Sequence, residues 1–223
     1  MRPLHIGPIP RDVDGEPIVF REYQEARPHL QERIGFYCVF CERRIPTGLA
    51  VEHKQPKALP AYQHRRLDWF NFVLACSNCN ATKGTTDTGA DTFLFPDEVN
   101  TAHAFRYLET NEIVPNPFLS PDEQAAVERT LRMVGLYLTD RRFIERGQAW
   151  EKAKRYKAKV LAKNDSEQWD TVVDLAEATG FWSVWMTIFA DHPEVRRLLI
   201  RRFVGTHPLC FDDEGVCRSQ LRL

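Results

Sequence analysis

The chain has 223 residues, of which 43% are hydrophobic and 27% are charged, and its formal net charge is −1. This composition supports an ordinary buried core and excludes a disordered chain. The net charge excludes a polybasic protein, so any affinity for nucleic acid must come from local clusters of charge.

The N-terminal part lacks an apolar run of signal-peptide length. The longest mostly apolar segment, residues 181–190, is too short to span a bilayer, and we therefore expect a cytoplasmic protein that does not enter a membrane. Four prolines within residues 1–17 favour extended backbone, and residues 19–34 are predicted to form a helix that Pro28 breaks or kinks.

Two Cys-x-x-Cys pairs follow this helix. The pairs are Cys38 with Cys41, and Cys76 with Cys79. In a reducing compartment such pairs favour metal over disulfides, and together they supply the four thiolates of a closed, structural zinc site. The paired spacing argues against four unrelated buried cysteines. Cys210 and Cys217 lack this spacing, and we expect them to be core or surface thiols.

The segment between the two pairs predicts two short strands. Residues 49–51 are apolar and lead into Glu52 and His53, after which a basic loop with two prolines follows. Residues 72–75 are again apolar and run into the second cysteine pair. Asn80 comes directly after that pair and is predicted to precede a short helix.

This order of residues resembles the HNH endonuclease family. The matching stretches are CVFCE, VEH followed by PK, W-x-N, and C-x-x-CN-x-x-K-G, which together span Cys38 to Gly84, about a fifth of the chain. The resemblance implies a zinc-stabilised ββα-metal core that hydrolyses phosphodiester bonds with the help of a divalent ion. The family's commoner pattern has Asp before the histidine, where this chain has Glu52.

The resemblance also implies a role for each polar residue. His53, at a strand end in an open site, is the general base for water, and Asn71 hydrogen-bonds across the loop to orient it. Glu52 and the amide oxygen of Asn80 are the hard ligands of one catalytic Mg²⁺ or Mn²⁺. The structural alternatives are that Asn71 satisfies a turn and that Asn80 caps the following helix.

Basic side chains predict where a phosphate backbone binds. Residues 141–163 contain nine lysines and arginines but two glutamates. Such a basic segment is consistent with three kinds of contact, namely with phosphate, with an acidic protein or with solvent alone. The candidate nucleic-acid contacts are Lys57, Arg65, Arg66 and Lys83 near the cysteine pairs, and Lys152, Arg155 and Lys159 on one stripe of a later helix.

The rest of the chain is predicted to be mostly helical. Residues 84–97 read as a loop, and residues 105–114 as a hairpin. Ser120, Pro121 and Glu123 form a capping pattern that begins a helix, which Gly135 ends. The next helix reaches Lys163 from residue 139 or 140, with Phe143, Trp150, Ala153 and Val160 on one face. Two or three further helices follow, with core stripes at Trp182, Trp185, Phe189, Val195, Leu198 and Leu199.

We therefore predict an α+β protein with the zinc-stabilised HNH core in residues 1–115 and a mostly α-helical region in residues 116–223. The predicted function is metal-dependent endonuclease activity on nucleic acid, DNA rather than RNA. The alternative is a zinc-stabilised nucleic-acid-binding or adaptor module without catalysis.

A weaker similarity to the nuclease component of Septu-type anti-phage systems implies antiviral defence with an ATPase partner. The shared features are the order of the cysteine, Glu-His and Cys-Asn motifs and the helical second half. Because this chain has no Gly-x₄-Gly-Lys-Ser/Thr sequence, control by ATP would have to come from another protein.

Overall fold

A computed structural model of the protein describes residues 1–163 and 165–222. The predicted α+β class is confirmed. The helices within these ranges are α1 (Ala26–Ile34), α2 (Ser77–Lys83), α3 (Thr101–Ala104), α4 (Pro121–Met133), α5 (Arg141–Lys163), α6 (Ser166–Thr179), α7 (Trp182–Ile188) and α8 (Pro193–Arg202). The strands are β1 (Ala50–His53), β2 (Phe72–Ala75), β3 (Phe105–Tyr107) and β4 (Ile113–Pro115). None of the described helices is both long enough and apolar enough to cross a membrane.

The two predicted strand pairs are present as separate antiparallel sheets. In the first, Glu52 of β1 lies opposite Val73 of β2, so the last two residues of β1 sit beside the start of β2. In the second, β3 and β4 form a hairpin whose turn places Asn111 at a φ of 68°. Asparagine tolerates this left-handed conformation better than most residues, which accounts for its use in the turn.

Two helix boundaries differ from the prediction. The N-terminal helix begins at Ala26, after a 3₁₀ turn over Tyr23–Glu25, rather than at residue 19. Pro28 lies in its first turn, where a missing N–H costs nothing, so the proline does not break it. Helix α2 begins at Ser77 and already contains Asn80, so the suggestion that Asn80 caps this helix is wrong.

The buried apolar side chains form two clusters. The first contains the cysteine pairs, β1, β2 and α4, and it extends along α5 as far as Trp150. The second begins on α5 at Ala153 and contains the buried faces of α6 and α8. Helix α4 packs into the first cluster, so this cluster contains residues from both sides of position 115. The division of the chain between residues 115 and 116 stays a prediction.

Helix α5 buries three of the four apolar residues predicted for one face, Trp150, Ala153 and Val160, and it also buries two arginines. Arg142 and Arg146 are 1% and 2% exposed, and they lie on the buried side with Trp150. Phe143, expected on that side, is half-buried. Arg142 has a complete set of acceptors in Asp140, two backbone carbonyls and the Cys79 sulfur, so its burial does not leave an unpaired charge. Arg146 donates from Nε to the Asn111 carbonyl at 2.7 Å, and its two terminal nitrogens have no partner among the described residues.

The helical region is hydrogen-bonded to Glu42, the residue directly after the first cysteine pair. The Glu42 carboxylate accepts hydrogen bonds from the backbone N–H and hydroxyl of Ser183 at 2.9 and 2.6 Å, and its carbonyl accepts one from the Phe181 N–H at 2.8 Å. Gly180 sits so close that an added Cβ would lie 2.5 Å from the Glu42 carbonyl oxygen. A side chain at position 180 would therefore push the two regions apart.

Candidate active site and metal centre

The four predicted zinc ligands meet in space. The Sγ atoms of the two cysteine pairs all lie within 4.8 Å of one another, and those of Cys41 and Cys76 are 3.7 Å apart. Tetrahedral zinc with Zn–S bonds of about 2.3 Å requires sulfur atoms about 3.8 Å apart, so the geometry fits this ion.

The protonation chemistry of the cluster also favours a cation. All four cysteines are buried. Burial raises the pKa of Cys41 well above its ordinary value, and the neighbouring thiols raise it further. Four thiols cannot all ionise in such a site unless a positive ion compensates their charge, and a structural zinc would supply that charge.

One neighbour of the cluster comes from far along the chain. The Nη1 atom of Arg142, on α5, donates to the Sγ atom of Cys79 at 3.2 Å and to the Val134 carbonyl at 2.6 Å. Its charge is also paired with Asp140 at 2.6 Å. The sequence contains one signal for this role, which we did not predict: an arginine two residues after an aspartate at the start of a helix.

His53 occupies the end of β1, but the site around it is covered rather than open as predicted. The residue is 4% exposed. The rings of Tyr23 and Phe72 pack edge-on against its imidazole, with centroids 4.9 and 5.2 Å away. His53 is covered because the 3₁₀ turn that precedes α1 lies over the end of β1. Burial lowers the pKa of His53 from its ordinary value.

A backbone carbonyl fixes the orientation of the His53 ring. Nε2 of His53 lies 2.9 Å from the carbonyl oxygen of Arg66. A carbonyl accepts hydrogen bonds and cannot donate them, so Nε2 carries the proton in the neutral ring. The other ring nitrogen, Nδ1, then keeps its lone pair and can accept a proton.

Asn71 is fully buried and acts on the loop rather than directly on the His53 ring. Its Oδ1 accepts from the Gln55 N–H at 2.8 Å, and its Nδ2 donates to the carbonyls of Gln55 and Arg65 at 3.1 and 3.2 Å. Arg65 directly precedes the residue whose carbonyl holds His53. Asn71 therefore fixes the loop at both ends, and through that loop the histidine.

Glu52 is held by a lysine from α2. Its Oε1 lies 2.9 Å from Nζ of Lys83, whose side chain is fully buried. Burial raises the pKa of Glu52, while the Lys83 ammonium opposes that shift. Asn80 is half-buried and precedes Lys83 by three residues, so both side chains lie on the same face of α2. Glu52 and Asn80 carry oxygen atoms of the kind that Mg²⁺ and Mn²⁺ prefer as ligands.

The predicted phosphate contacts near the cysteine pairs divide into two kinds. The burial of Lys83 and its pairing with Glu52 are inconsistent with the exposed phosphate contact predicted for it. Lys57, Arg65 and Arg66 do reach the surface of the loop after β1. Lys57 Nζ lies 3.5 Å from the centre of the Tyr23 ring, and the Arg66 side chain is 49% exposed. Lys57 thus packs on the residue that covers His53, while the Arg65 side chain pairs with Asp68 and that of Arg66 with Glu22.

The basic stripe on α5, formed by Lys152, Arg155 and Lys159, is a separate surface. Arg155 and Lys159 are exposed and Lys152 is half-buried, and none of them forms an ion pair within the described residues. The neighbouring Lys154 and Lys157 are instead neutralised by Glu109 and Asp191. Within residues 1–163 and 165–222, no hydrogen bond or ion pair joins the stripe to His53 or Glu52.

Part of the chain matches a known protein family. Residues 38–86 match the family described as HNH endonuclease. The matched range contains both cysteine pairs, β1, β2 and α2, and leaves out the N-terminal segment and the helical region. No curated protein matches the chain.

Proposed function

Because residues 38–86 carry an HNH endonuclease domain, we propose that the protein is a metal-dependent nuclease that hydrolyses phosphodiester bonds, in DNA rather than RNA. The domain implies a nucleic-acid substrate and a divalent metal. The observation that supports activity most strongly is the state of His53, whose Nε2 proton is committed to a carbonyl while Nδ1 remains a base.

His53 is the proposed general base. Its Nδ1 takes a proton from the attacking water, and the lowered pKa keeps the imidazole neutral and ready for that transfer near neutral pH. After the transfer, the imidazolium donates more strongly to the Arg66 carbonyl, which stabilises the new positive charge. Asn71 is a positioning residue, because it holds the loop that presents this carbonyl.

Glu52 and Asn80 are the proposed ligands of the catalytic ion. A bound Mg²⁺ or Mn²⁺ would stabilise negative charge on the phosphate and on the leaving oxygen. Lys83 orients Glu52 by holding Oε1, and Oε2 would then be the oxygen that Glu52 offers to the ion. The four cysteines fix the distance between β1 and α2, because the second pair begins α2 and the first packs against β2.

Access to His53 requires a movement of the N-terminal segment. The imidazole is 4% exposed and Tyr23 covers it, so a phosphate reaches Nδ1 only when Tyr23 moves aside. Lys57, Arg65 and Arg66 belong to the loop after β1 and are the proposed contacts with the phosphate backbone there. The basic stripe on α5 is proposed as a second contact along the substrate.

The decisive experiment compares His53→Ala with His64→Ala in a plasmid-nicking assay with added Mg²⁺ or Mn²⁺. His64 is an exposed histidine of the same loop and serves as the matched control. We expect cleavage to fall about 10² to 10⁴-fold for His53→Ala and to persist for His64→Ala. Zinc content and melting temperature are measured in parallel, because His53 is buried and its loss also affects stability.

Parallel reactions with RNA test the preference for DNA. Wild-type protein that contains zinc but cleaves neither substrate, and still binds DNA, would favour the adaptor alternative. An ATPase partner and a role in anti-phage defence belong to the proposal only through the weaker Septu resemblance. Co-purification of the protein from its own cells tests both.

A further inference from the structure

One turn of helix α5 lies beside both cysteine pairs. Arg142, in the first turn of the helix, donates from Nη1 to the Sγ atom of Cys79 in the second pair. Glu145 forms an ion pair with Arg43, two residues after the first pair, and 2.5 Å separates its Oε2 from the arginine Nε. Arg146 comes directly after Glu145 and one turn after Arg142, on the buried side of the helix. The backbone of Arg146 is therefore close to the cysteine cluster, and its side chain lies in the interior.

The guanidinium of Arg146 is buried without a partner for its terminal nitrogens. The residue is 2% exposed. Its Nε donates to the Asn111 carbonyl, and the centre of the Phe143 ring lies 5.6 Å from its Cζ, but Nη1 and Nη2 have no hydrogen-bond partner among the described residues. The carboxylates of Asp140 and Glu145, which lie nearest in sequence, are paired with other arginines. Because a buried charge is unfavourable without compensation, we expect a source of negative charge close to this group.

Three side chains that can carry negative charge act on Arg146. Burial lowers the pKa of Arg146, and Tyr107, Cys41 and Glu42 oppose that shift. Tyr107 is a neutral phenol, because burial raises its pKa well above the ordinary value. The two oxygens of the Glu42 carboxylate already accept hydrogen bonds from Ser183, and within the described chain neither forms an ion pair with Arg146. Cys41 is the remaining group, and its sulfur carries a full negative charge when a metal binds.

Zinc binding would change the charge of the cysteine cluster. Four thiolates and one Zn²⁺ together carry a net charge of −2, since four negative charges meet two positive ones. Arg142 supplies part of the compensation through its hydrogen bond to Cys79, but Asp140 takes up part of the Arg142 charge at 2.6 Å. Arg146 is a second buried cation beside the same cluster, and no carboxylate in the described part of the chain is paired with it.

We propose that Arg146 is a charge-compensating residue of the zinc centre, which acts with Arg142 to balance the negative charge of the thiolates once zinc is bound. The inference rests on the predicted structural zinc and is independent of the proposed nuclease activity. Helix α5 lies outside the matched residues 38–86. The matched domain therefore lacks part of the positive charge that its own zinc centre requires.

Zinc affinity is measured on the full chain by competition with a chromogenic chelator. Arg146→Met removes the charge and keeps an unbranched apolar stem, and we expect it to lower the zinc affinity about ten- to a hundredfold, as for other groups that support metal ligands. Arg146→Lys has a stem of similar length but keeps a positive charge, so it should recover most of that loss. The comparison of the two variants separates the effect of charge from the effect of packing.

Val160→Ala is the matched control for a general loss of stability. Val160 is fully buried on the same helix but belongs to the second cluster, so its truncation weakens the core without changing the charge at the zinc centre. It should lower the zinc affinity much less than Arg146→Met does.

Three results would overturn the proposal. The first is a zinc affinity of Arg146→Met that equals that of wild type or of Val160→Ala. The second is that Arg146→Lys binds zinc as weakly as Arg146→Met, and the third is that the wild-type chain binds no zinc. Since none of these measurements involves cleavage, such failures are distinguishable from a failure of the proposed nuclease activity.

Discussion

Replacing Lys83 with methionine removes the partner of a buried carboxylate. The Lys83 side chain is 0% exposed and that of Glu52 is 12% exposed, and the pair joins α2 to β1 at 2.9 Å. Methionine keeps the volume of the aliphatic stem but leaves Glu52 without its counter-ion. Breaking a buried pair on one side costs about 3–5 kcal/mol, because the remaining charge is no longer compensated.

The lower end of that range applies here, since Glu52 keeps some contact with water. For a chain of this length, 1 kcal/mol corresponds to about 2–4 °C in melting temperature, so a loss of about 3 kcal/mol predicts a decrease of about 6–12 °C. The difference in stability between Lys83→Met and wild type should become smaller as the pH falls. Burial raises the pKa of Glu52 in the folded protein and the Lys83 ammonium opposes that rise, so without Lys83 the folded-state pKa is higher still. The variant therefore takes up the proton at a higher pH than wild type and gains more stability as the pH falls.

Thermal unfolding followed by circular dichroism measures the effect in zinc-loaded protein. Lys159→Met removes an exposed lysine from α5 and is the matched control, with an expected change of less than about 0.5 kcal/mol. The double variant Lys83→Met with Glu52→Gln should recover most of the loss, because it removes the unpaired charge. A melting temperature for Lys83→Met equal to that of the control, or no recovery in the double variant, would show that Lys83 does not compensate the charge of Glu52.

Three further predictions concern the zinc ligands, the cover over His53 and the basic stripe. Arg142→Gln should release zinc to a chromogenic chelator about ten- to a hundredfold faster, because it loses the donor to Cys79, and an unchanged rate would contradict this role. Tyr23→Ala should speed the modification of His53 by diethyl pyrocarbonate, since it uncovers the ring; equal rates would show that Tyr23 is no cover. Reversing all three charges of the basic stripe should flatten the salt dependence of DNA binding by about one unit of slope per lost contact, and an unchanged slope would assign the stripe to another partner or to solvent.

Local patterns in the sequence predict a large part of this fold. The cysteine spacing specifies a four-thiolate cluster because a Cys-x-x-Cys turn brings its two sulfur atoms to one side. Strand β2 is predicted at its observed bounds because four apolar residues run directly into a cysteine pair. The capping box that begins α4 is likewise confirmed, since Ser120 and Glu123 form it within one turn of chain.

The covering of His53 and the partner of Glu52 could not be predicted in this way. Tyr23 reaches His53 from a turn whose position depends on how the N-terminal segment packs, and no periodicity encodes that packing. Lys83 looked like a surface cation because lysine is rarely buried, yet a carboxylate on the neighbouring strand compensates its charge. Such pairings become visible only when residues that are distant in sequence are brought together.

These long-range contacts indicate that the helical region stabilises the predicted zinc site. Arg142 reaches Cys79 across 63 residues of sequence, and Ser183 reaches Glu42, directly after the first cysteine pair, across 141. The second cysteine pair and the residue directly after the first pair are therefore each hydrogen-bonded to a helix outside the matched domain. Glu42 holds a φ of 61°, a left-handed conformation that is unfavourable for glutamate and is compensated here by three hydrogen bonds from α7 and its N-terminal flank. The conformation of the first knuckle, and with it the position of β1 and Glu52, thus depends on packing that the domain alone does not contain.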